Sequence, residues 1–310
     1  MQIHPKVTQI GTQFGEVGVE LYLIKGETIA IVDTGISQSP QKDIAPALKE
    51  LRLTLANIDF ILNTHGHFDH IGGNAAIQSA GNAQILIHHD DVVFLQDHKR
   101  CFEQYWAPVV EATVGKEHME EVRTNLLQMS GPNVDANRQL EDNDFIDLGH
   151  GCQLQVIHLP GHTPGSVGFY WEKEGMLFSG DSLPGLHIGT GGLPVIDDLI
   201  AYENSLKRLQ KLSPHLILQG HHYRGLTLPP SPIRRSDEIK QYLKDCENVA
   251  TELRKAVRHI APHASRRALM ELADEVVTEL PKEMGFKPVS QMANPVAAAW
   301  TIFYALNPLA

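Results

Sequence analysis

Cysteine is scarce: Cys101, Cys152 and Cys246 are the only three in 310 residues, and no C-x-x-C pair occurs. That argues against a disulfide framework and a thiolate metal site, and suits a reducing compartment. Long apolar runs are missing too. The C-terminal stretch "PVAAAWTIFYAL" is shorter than the roughly 20 residues a bilayer span needs, so it reads as a buried helix and no membrane partner is expected. The opening "MQIHPKVTQIGTQF" has no basic region followed by an apolar one, so no signal peptide is expected and the expected compartment is the cytoplasm. Positive charge is in short supply, with 26 Lys and Arg against 37 Asp and Glu and a net charge of -11. Such a surface repels phosphate backbones and disfavours nucleic-acid partners. Apolar residues make up 42%, enough for a sizeable core, which sets a disordered reading aside.

Strand signals open the chain. "VELYLIKG" and "TIAIVDTG" are β-branched runs that meet at Gly26-Glu27 and predict a hairpin. "SPQKDIAPALKEL" has the 3.6-residue spacing of a helix, "IDFILNT" reads as a short buried strand and "NAAIQSAG" as a helix closed by Gly81. "AQILIHH" is a further strand, with Asp90 placed to cap a helix after it, and residues 90–129 read as helical. "QLQVIHL", "VGFYW", "GMLFSG" and "HLILQG" are later strands, so the fold class is α/β. Pro229, Pro230 and Pro232 mark a linker, Ser236 is placed to cap the next helix, and the remainder reads as helical. The expected division is a domain over residues 1–230 and a helical domain over residues 231–310. The second would serve as a lid or as the interface of a homodimer.

Against this background "NTHGHFDHIGG" stands out. It sets His65, His67, Asp69 and His70 within six residues, directly behind the apolar "FIL". Polar, titratable side chains are costly to bury unless something pairs with them. In a nearly extended chain His65 and His67 point the same way and can share one ion, while Asp69 and His70, after a turn, can address a second. One histidine in a loop would be unremarkable as a surface residue; four ligand-type side chains behind a buried strand favour a metal. Three more ligand-type residues sit beside a glycine at the end of an apolar run: His162 in "LPGHTPGS", Asp181 in "LFSGDSL" and His221 in "LILQGHHYRG".

In this order "THGHFDH", "LPGHTPGS", "SGDS" and "QGHH" resemble the metallo-β-lactamase superfamily, in its dinuclear hydrolase branch, over about residues 7–225. The resemblance implies an αββα sandwich with a metal site along one edge of its sheets, here with a C-terminal all-helical extension. It implies that His65, His67 and His162 hold one divalent ion, that Asp69, His70 and His221 hold a second, and that Asp181 bridges them. The family's Gly-His pattern favours His221 over His222. All these donors are nitrogen or oxygen, which suits zinc foremost, and iron or manganese as well. Two ions about 3.5–4 Å apart acidify a shared water, so a metal-bridging hydroxide is the expected nucleophile. Asp69 and Asp181 are the expected catalytic residues, orienting that hydroxide and carrying its proton.

Departures from the family pattern narrow the function. Asp181 counts against β-lactam hydrolysis, because the zinc β-lactamases of this superfamily do not use that bridge. His67 stands where a flavodiiron protein would carry glutamate, and no long nuclease insertion is apparent. Glyoxalase II-like thioesterases, lactonases, phosphodiesterases and quinolone-signal-thioesterase-like proteins remain. The expectation is a metal-dependent hydrolase of a small ester-like bond, a thioester or a carboxylic ester or lactone, in a small-molecule substrate. The alternatives are a mononuclear iron persulfide dioxygenase and a regulatory, ligand-binding member with incidental catalysis.

Other residues carry two readings each. Asp33 in "IVDTG" either orients a metal ligand or organises the turn at Thr34 and Gly35. His88 and His89 read as turn or capping residues. His187, in the glycine-rich loop after Asp181, is a candidate substrate contact, with an ordinary loop histidine as the plainer reading. Tyr105 and Trp106 in "CFEQYWAPVV" are candidate pocket walls, with helix core as the plainer reading.

Overall fold

The computed structural model describes residues 1–186, 192–263, 268–292 and 294–307. Seven strands form the first sheet in chain order: β1 (Gln2–His4), β2 (Val7–Phe14), β3 (Val17–Lys25), β4 (Ile29–Val32), β5 (Phe60–Leu62), β6 (Gln84–His88) and β7 (Arg138–Leu140). Six more form the second: β8 (Phe145–Asp147), β9 (Gln153–His158), β10 (Val167–Trp171), β11 (Met176–Gly180), β12 (Leu216–Gln219) and β13 (Ile233–Arg235), in the spatial order β13-β12-β11-β10-β9-β8. β4 through β7 run parallel, as do β11 and β12; the other pairs are antiparallel. The hairpin expected at Gly26-Glu27 joins β3 to β4.

Side-chain alternation explains the layers. In β3, Tyr22 and Ile24 turn toward the second sheet and share a core with Phe169, Phe178 and Leu218. Leu21 and Leu23 turn the other way, onto Ile44, Leu48 and Ile77 of the covering helices. β11 repeats the pattern, with Met176 and Phe178 inward and Leu177 outward among Leu206, Leu209 and Tyr242. Strands buried on both faces read as unbroken apolar runs, which is why "FIL" and "LILQ" show no polar alternation. The result is the αββα sandwich that the resemblance implied.

Beyond β13 the described chain is helical, chiefly Asp237–Ile260, Leu269–Glu279 and Pro295–Leu306. Ile239, Leu243, Val249 and Leu253 share one core with Ile157, Tyr170, Leu177 and Ile217 on the outer face of the second sheet. No helix among the described residues is long and apolar enough to cross a membrane.

Three local expectations change. The proline-rich linker contains β13, an edge strand paired antiparallel with β12, and prolines are tolerated at such edges. Within it Arg234, only 1% exposed, donates from Nη2 to the carbonyls of Tyr223 and Pro229, each at 2.7 Å. Ser236 occupies the N-cap position of the long helix but makes no side-chain cap bond. The helical stretch after β6 is broken into short pieces, with interruptions at Asp97 and Gly115.

Candidate metal centre

Each proposed ligand follows the carboxyl end of a strand, where sheets of this kind gather their sites. β5 ends just before Asn63, β9 before the turn to His162, β11 before Asp181 and β12 before the Gly220-His221 step. The structure brings all seven side chains together. Ligand atoms of His65, His67 and His162 lie within 4.8 Å of one another, as do those of His65, His70 and Asp181 and those of Asp69, His70 and His221. None of the seven residues is more than 7% exposed. Glycine makes this crowding feasible: a Cβ on Gly220 would strike Asp181 and His70, and Gly180, at φ 46°, lies against the Thr64 side chain.

Hydrogen bonds set which nitrogen of each ring faces the centre. Asp33, in the left-handed region at φ 59°, accepts the Thr64 amide at 2.8 Å and the Thr64 hydroxyl at 2.7 Å. The same carboxylate lies 2.8 Å from His70 Nδ1. With its proton given to Asp33, the Thr64 oxygen accepts from His65 Nδ1 at 3.1 Å. One carboxylate therefore fixes two imidazoles, which is the ligand-orienting reading of Asp33. His162 Nδ1 donates to the Val195 carbonyl and His221 Nδ1 to the Gly18 carbonyl, both at 2.7 Å. In all four rings Nε2 is left to face the centre.

Electrostatics divides the cluster into two halves. Burial, helped by the neighbouring imidazoles, holds His65 well below the ordinary range and brings His67 to about 3; burial also lowers His162. These rings are neutral, and Nε2 of His65 meets Nε2 of His162 at 3.2 Å, lone pair toward lone pair. In the other half burial opposes protonation, yet Asp181 and Asp69 outweigh it, raising His70 and taking His221 to about 10. Burial would likewise raise the carboxyls, but His70 and His221 prevail, leaving Asp69 at about 2 and Asp181 well below its usual range. Asp181 Oδ2 is 3.1 Å from His221 Nε2, while its buried Oδ1 has no hydrogen-bond partner among the described residues. Facing lone pairs, ionised carboxylates and an orphaned acceptor fit divalent cations held by nitrogen and oxygen.

Several residues behave in ways the sequence did not separate. His222 turns outward to Glu20 Oε1 at 2.7 Å, so His221 alone of that pair joins the cluster. The expected cap by Asp90 does not form; the Asp90 amide donates instead to His88 Nδ1 at 3.3 Å, which makes His88 the capping residue. Sequence reasoning misses Asp91, which is fully buried and whose carboxylate accepts from Gly66 N, Gly165 N and the Thr163 hydroxyl at 2.8, 2.7 and 2.7 Å. It ties the loop bearing His65 and His67 to the loop bearing His162. Burial raises its carboxyl to about 6 despite those bonds. Nothing in "HHDDVV" distinguishes Asp91 from Asp90; only burial does.

A cavity of about 330 Å³ opens onto the cluster. Trp106 lines it beside Trp300, with ring centroids 4.5 Å apart, and both rings lie near His67. Tyr105 does not line it: its ring packs on Phe94 and its carbonyl accepts the Tyr304 hydroxyl at 2.6 Å. His187 lies outside the described residues. Trp300 comes from the C-terminal helix and donates from Nε1 to Asp197 at 2.6 Å. Its neighbour Thr301 accepts Ile196 N at 2.8 Å and donates to the Pro194 carbonyl at 2.6 Å. The helix thereby clamps the loop whose Val195 carbonyl holds His162. Tyr223 also lines the cavity, and burial, then Asp181, keeps its hydroxyl protonated.

Comparison with known proteins agrees with the geometry. A beta-lactamase-like protein 2 homolog of Drosophila melanogaster is 31% identical over 205 residues, covering 66% of this chain and 58% of its own. A hydroxyacylglutathione hydrolase of Aeromonas hydrophila is 30% identical over 169 residues, covering 53% of this chain and 46% of its own. The chain thus spans about half the length of these relatives. A metallo-beta-lactamase family protein of Thermus thermophilus has the same fold, with a TM-score of 0.70 at 22% identity over 99% of this chain and 94% of that one. The model of the metallo-beta-lactamase superfamily matches residues 15–221, the stretch that carries all seven clustered side chains, and the chain belongs to that superfamily.

Proposed function

We propose that the chain is a metal-dependent hydrolase of a small ester-like bond, a thioester, carboxylic ester or lactone. The observation that carries the reading is the convergence of five imidazoles and two carboxylates, with Asp181 Oδ2 lying 3.1, 3.5 and 3.7 Å from Nε2 of His221, His70 and His162. His65, His67 and His162 would hold one divalent ion, zinc foremost, and Asp69, His70 and His221 the second, with Asp181 between them. Bound there, such ions supply Lewis acidity and a water acidified toward neutrality.

The chain's own groups do the rest. Asp69 and Asp181 stay ionised at neutral pH, so they can orient a water through its protons and accept one of them. Tyr223 stays protonated and can donate a hydrogen bond to charge developing on a carbonyl oxygen. The tryptophan-lined cavity excludes water from one side of the reacting bond. Support also comes from the Aeromonas relative, whose name states hydrolysis of an acyl–glutathione bond.

The test begins with metal analysis of protein from metal-supplemented growth, followed by an ester and thioester screen with parallel oxygen-uptake measurements. Two metal atoms per chain with acyl release are expected. Asp181→Asn should bind the second ion weakly and lose most turnover. A single iron with oxygen uptake, or an Asn variant with full rate and unchanged metal content, would overturn the reading.

A further inference from the structure

The walls of the cavity carry information that its metal end does not. Besides the cluster's own side chains it is lined chiefly by Phe68, Trp106, Leu126, Met129, Val296 and Trp300, with the amides of Asn125 and Asn294 among them. Among its described lining residues there is no Lys or Arg, and every carboxylate and imidazole belongs to the seven-residue cluster. The family match ends at residue 221, before Tyr223 and before the helix Pro295–Leu306 that supplies Val296, Ala297 and Trp300. On that wall Val296, Ala297 and Trp300 thus lie outside the matched stretch, while Phe68, Trp106, Leu126 and Met129 lie within it. An adjoining cleft of about 450 Å³, which carries His118 and Glu121 at its outer end, shares Val122, Asn125, Asn294 and Val296 with the cavity, so the chamber opens outward between the helices Met119–Ser130 and Pro295–Leu306.

We propose that this chamber selects an uncharged, apolar acyl group, and that the enzyme prefers thioesters or esters of such acids over the charged glutathione thioester named for its relatives. The inference rests on the acyl-hydrolase reading and adds the substrate class to it. An apolar chain leaves water on entering and satisfies the indole and aliphatic walls. A glutathionyl group carries two carboxylates and an ammonium; the described lining offers the carboxylates only the neutral amides of Asn125 and Asn294 and no Lys or Arg, and charge desolvated without a charged partner is costly. In the reaction the oxygen of water bonds to the acyl carbon as the carbon–sulfur bond breaks. The thiol takes one proton of that water, and the other goes to solvent as the carboxylic acid ionises.

The experiment uses the metal-loaded full chain and three thioesters: S-acetyl- and S-hexanoyl-N-acetylcysteamine, which share a neutral leaving group, and S-lactoylglutathione. The hexanoyl compound should exceed the acetyl in kcat/KM by at least about tenfold, the scale expected for burying a few methylenes, and should exceed the glutathione thioester as well. Ala297→Trp, which fills the chamber, should remove most of that advantage at unchanged metal content. Turnover with no gain from acetyl to hexanoyl, or with glutathione thioester preferred, overturns the chamber assignment and leaves the hydrolase reading standing. Should none of the three turn over, the hydrolase reading falls, and the chamber is tested by quenching of tryptophan fluorescence with S-hexanoyl-N-acetylcysteamine, which is uncharged and then stays intact. Quenching in the wild type but not in Ala297→Trp supports it, and equal or absent quenching overturns it.

Discussion

Nε2 of His65 stands 3.2 Å from Nε2 of His162, and each ring has its other nitrogen committed as a donor, His65 to Thr64 and His162 to the Val195 carbonyl. Two neutral lone pairs at that distance repel unless a cation shares them. His70 and His221 meet similarly at 3.3 Å, but there Asp181 and Asp69 hold protons on the rings. One half of the centre offers unprotonated nitrogens to an ion, and in the other half an ion would compete with protons.

Metal loading should therefore be asymmetric in its proton release. An ion entering at His65, His67 and His162 displaces no proton at neutral pH, because His67 titrates near 3 and the other two rings are lowered as well. An ion entering at Asp69, His70 and His221 must displace the proton that His221 keeps up to about pH 10. Its affinity should rise with pH across the neutral range, by up to about tenfold per unit for each proton released. Calorimetric zinc titrations of the metal-free protein in buffers of different ionisation enthalpy would measure this. Equal proton release at both steps would disprove the asymmetry.

Asp91 touches no ligand ring, yet it is expected to govern the first ion. Its carboxylate takes two backbone amides and a hydroxyl from the two loops that carry His65, His67 and His162. Asp91→Ala strands those donors in a buried site, at about 1–3 kcal/mol for each one left unsatisfied. The variant should bind the first ion about 10–100-fold more weakly, the usual effect of losing support behind a metal ligand. Chelator competition reads this directly, and unchanged affinity would reduce Asp91 to a purely structural residue.

Thr301 supports the same site through the loop that holds His162. Thr301→Val keeps the side-chain shape but removes the acceptor for Ile196 N and the donor to the Pro194 carbonyl. The loop that presents the Val195 carbonyl to His162 loosens, and affinity at the first ion should fall while the second is spared. Thr301→Ser, which restores the hydroxyl, should recover most of it. Failure of Ser to rescue would mean that packing, and not the hydroxyl, holds the loop.

The centre was legible in the sequence because ligand chemistry restricts the choice to a few residue types, and because each one sits behind an apolar run. The αββα layering was implied by the family resemblance of the ordered motifs; the apolar runs alone indicated only an α/β fold. What stayed hidden depends on which way a side chain points. Tyr105 and Trp106 are neighbours on a helical segment, and successive residues there project roughly 100° apart, so only Trp106 reaches the cavity. "AAAWTIFYAL" demanded burial on every side but did not say that Trp300 would wall the site. The strands Arg138–Leu140 and Phe145–Asp147 are three residues each, too short to display a period of two. Arg234 and Asp91 look like ordinary surface charges until their burial is known.

Asp197 gives a prediction whose sign depends on pH. Burial raises its carboxyl to about 8, against its bond from Trp300 Nε1, so it is protonated at neutrality in the folded chain. Unfolding exposes it, its pKa returns to about 4, and the proton is released. Because the unfolded state binds fewer protons across this window, the wild type loses stability as pH rises from about 4 to about 8. Asp197→Asn is neutral throughout, keeps an acceptor for Trp300 and escapes that loss. The variant should melt higher than the wild type at pH 8 by at least about 2 °C, on the scale of a 1 kcal/mol change in a chain this size, and the gap should close toward pH 5. Asp197→Ala removes the acceptor, leaves the buried indole N–H unpaired and should melt lower than Asp197→Asn at every pH. Scanning calorimetry of the three proteins at pH 5 and pH 8 decides it. A wild-type-to-Asn difference that does not change with pH would mean that Asp197 does not titrate in this window.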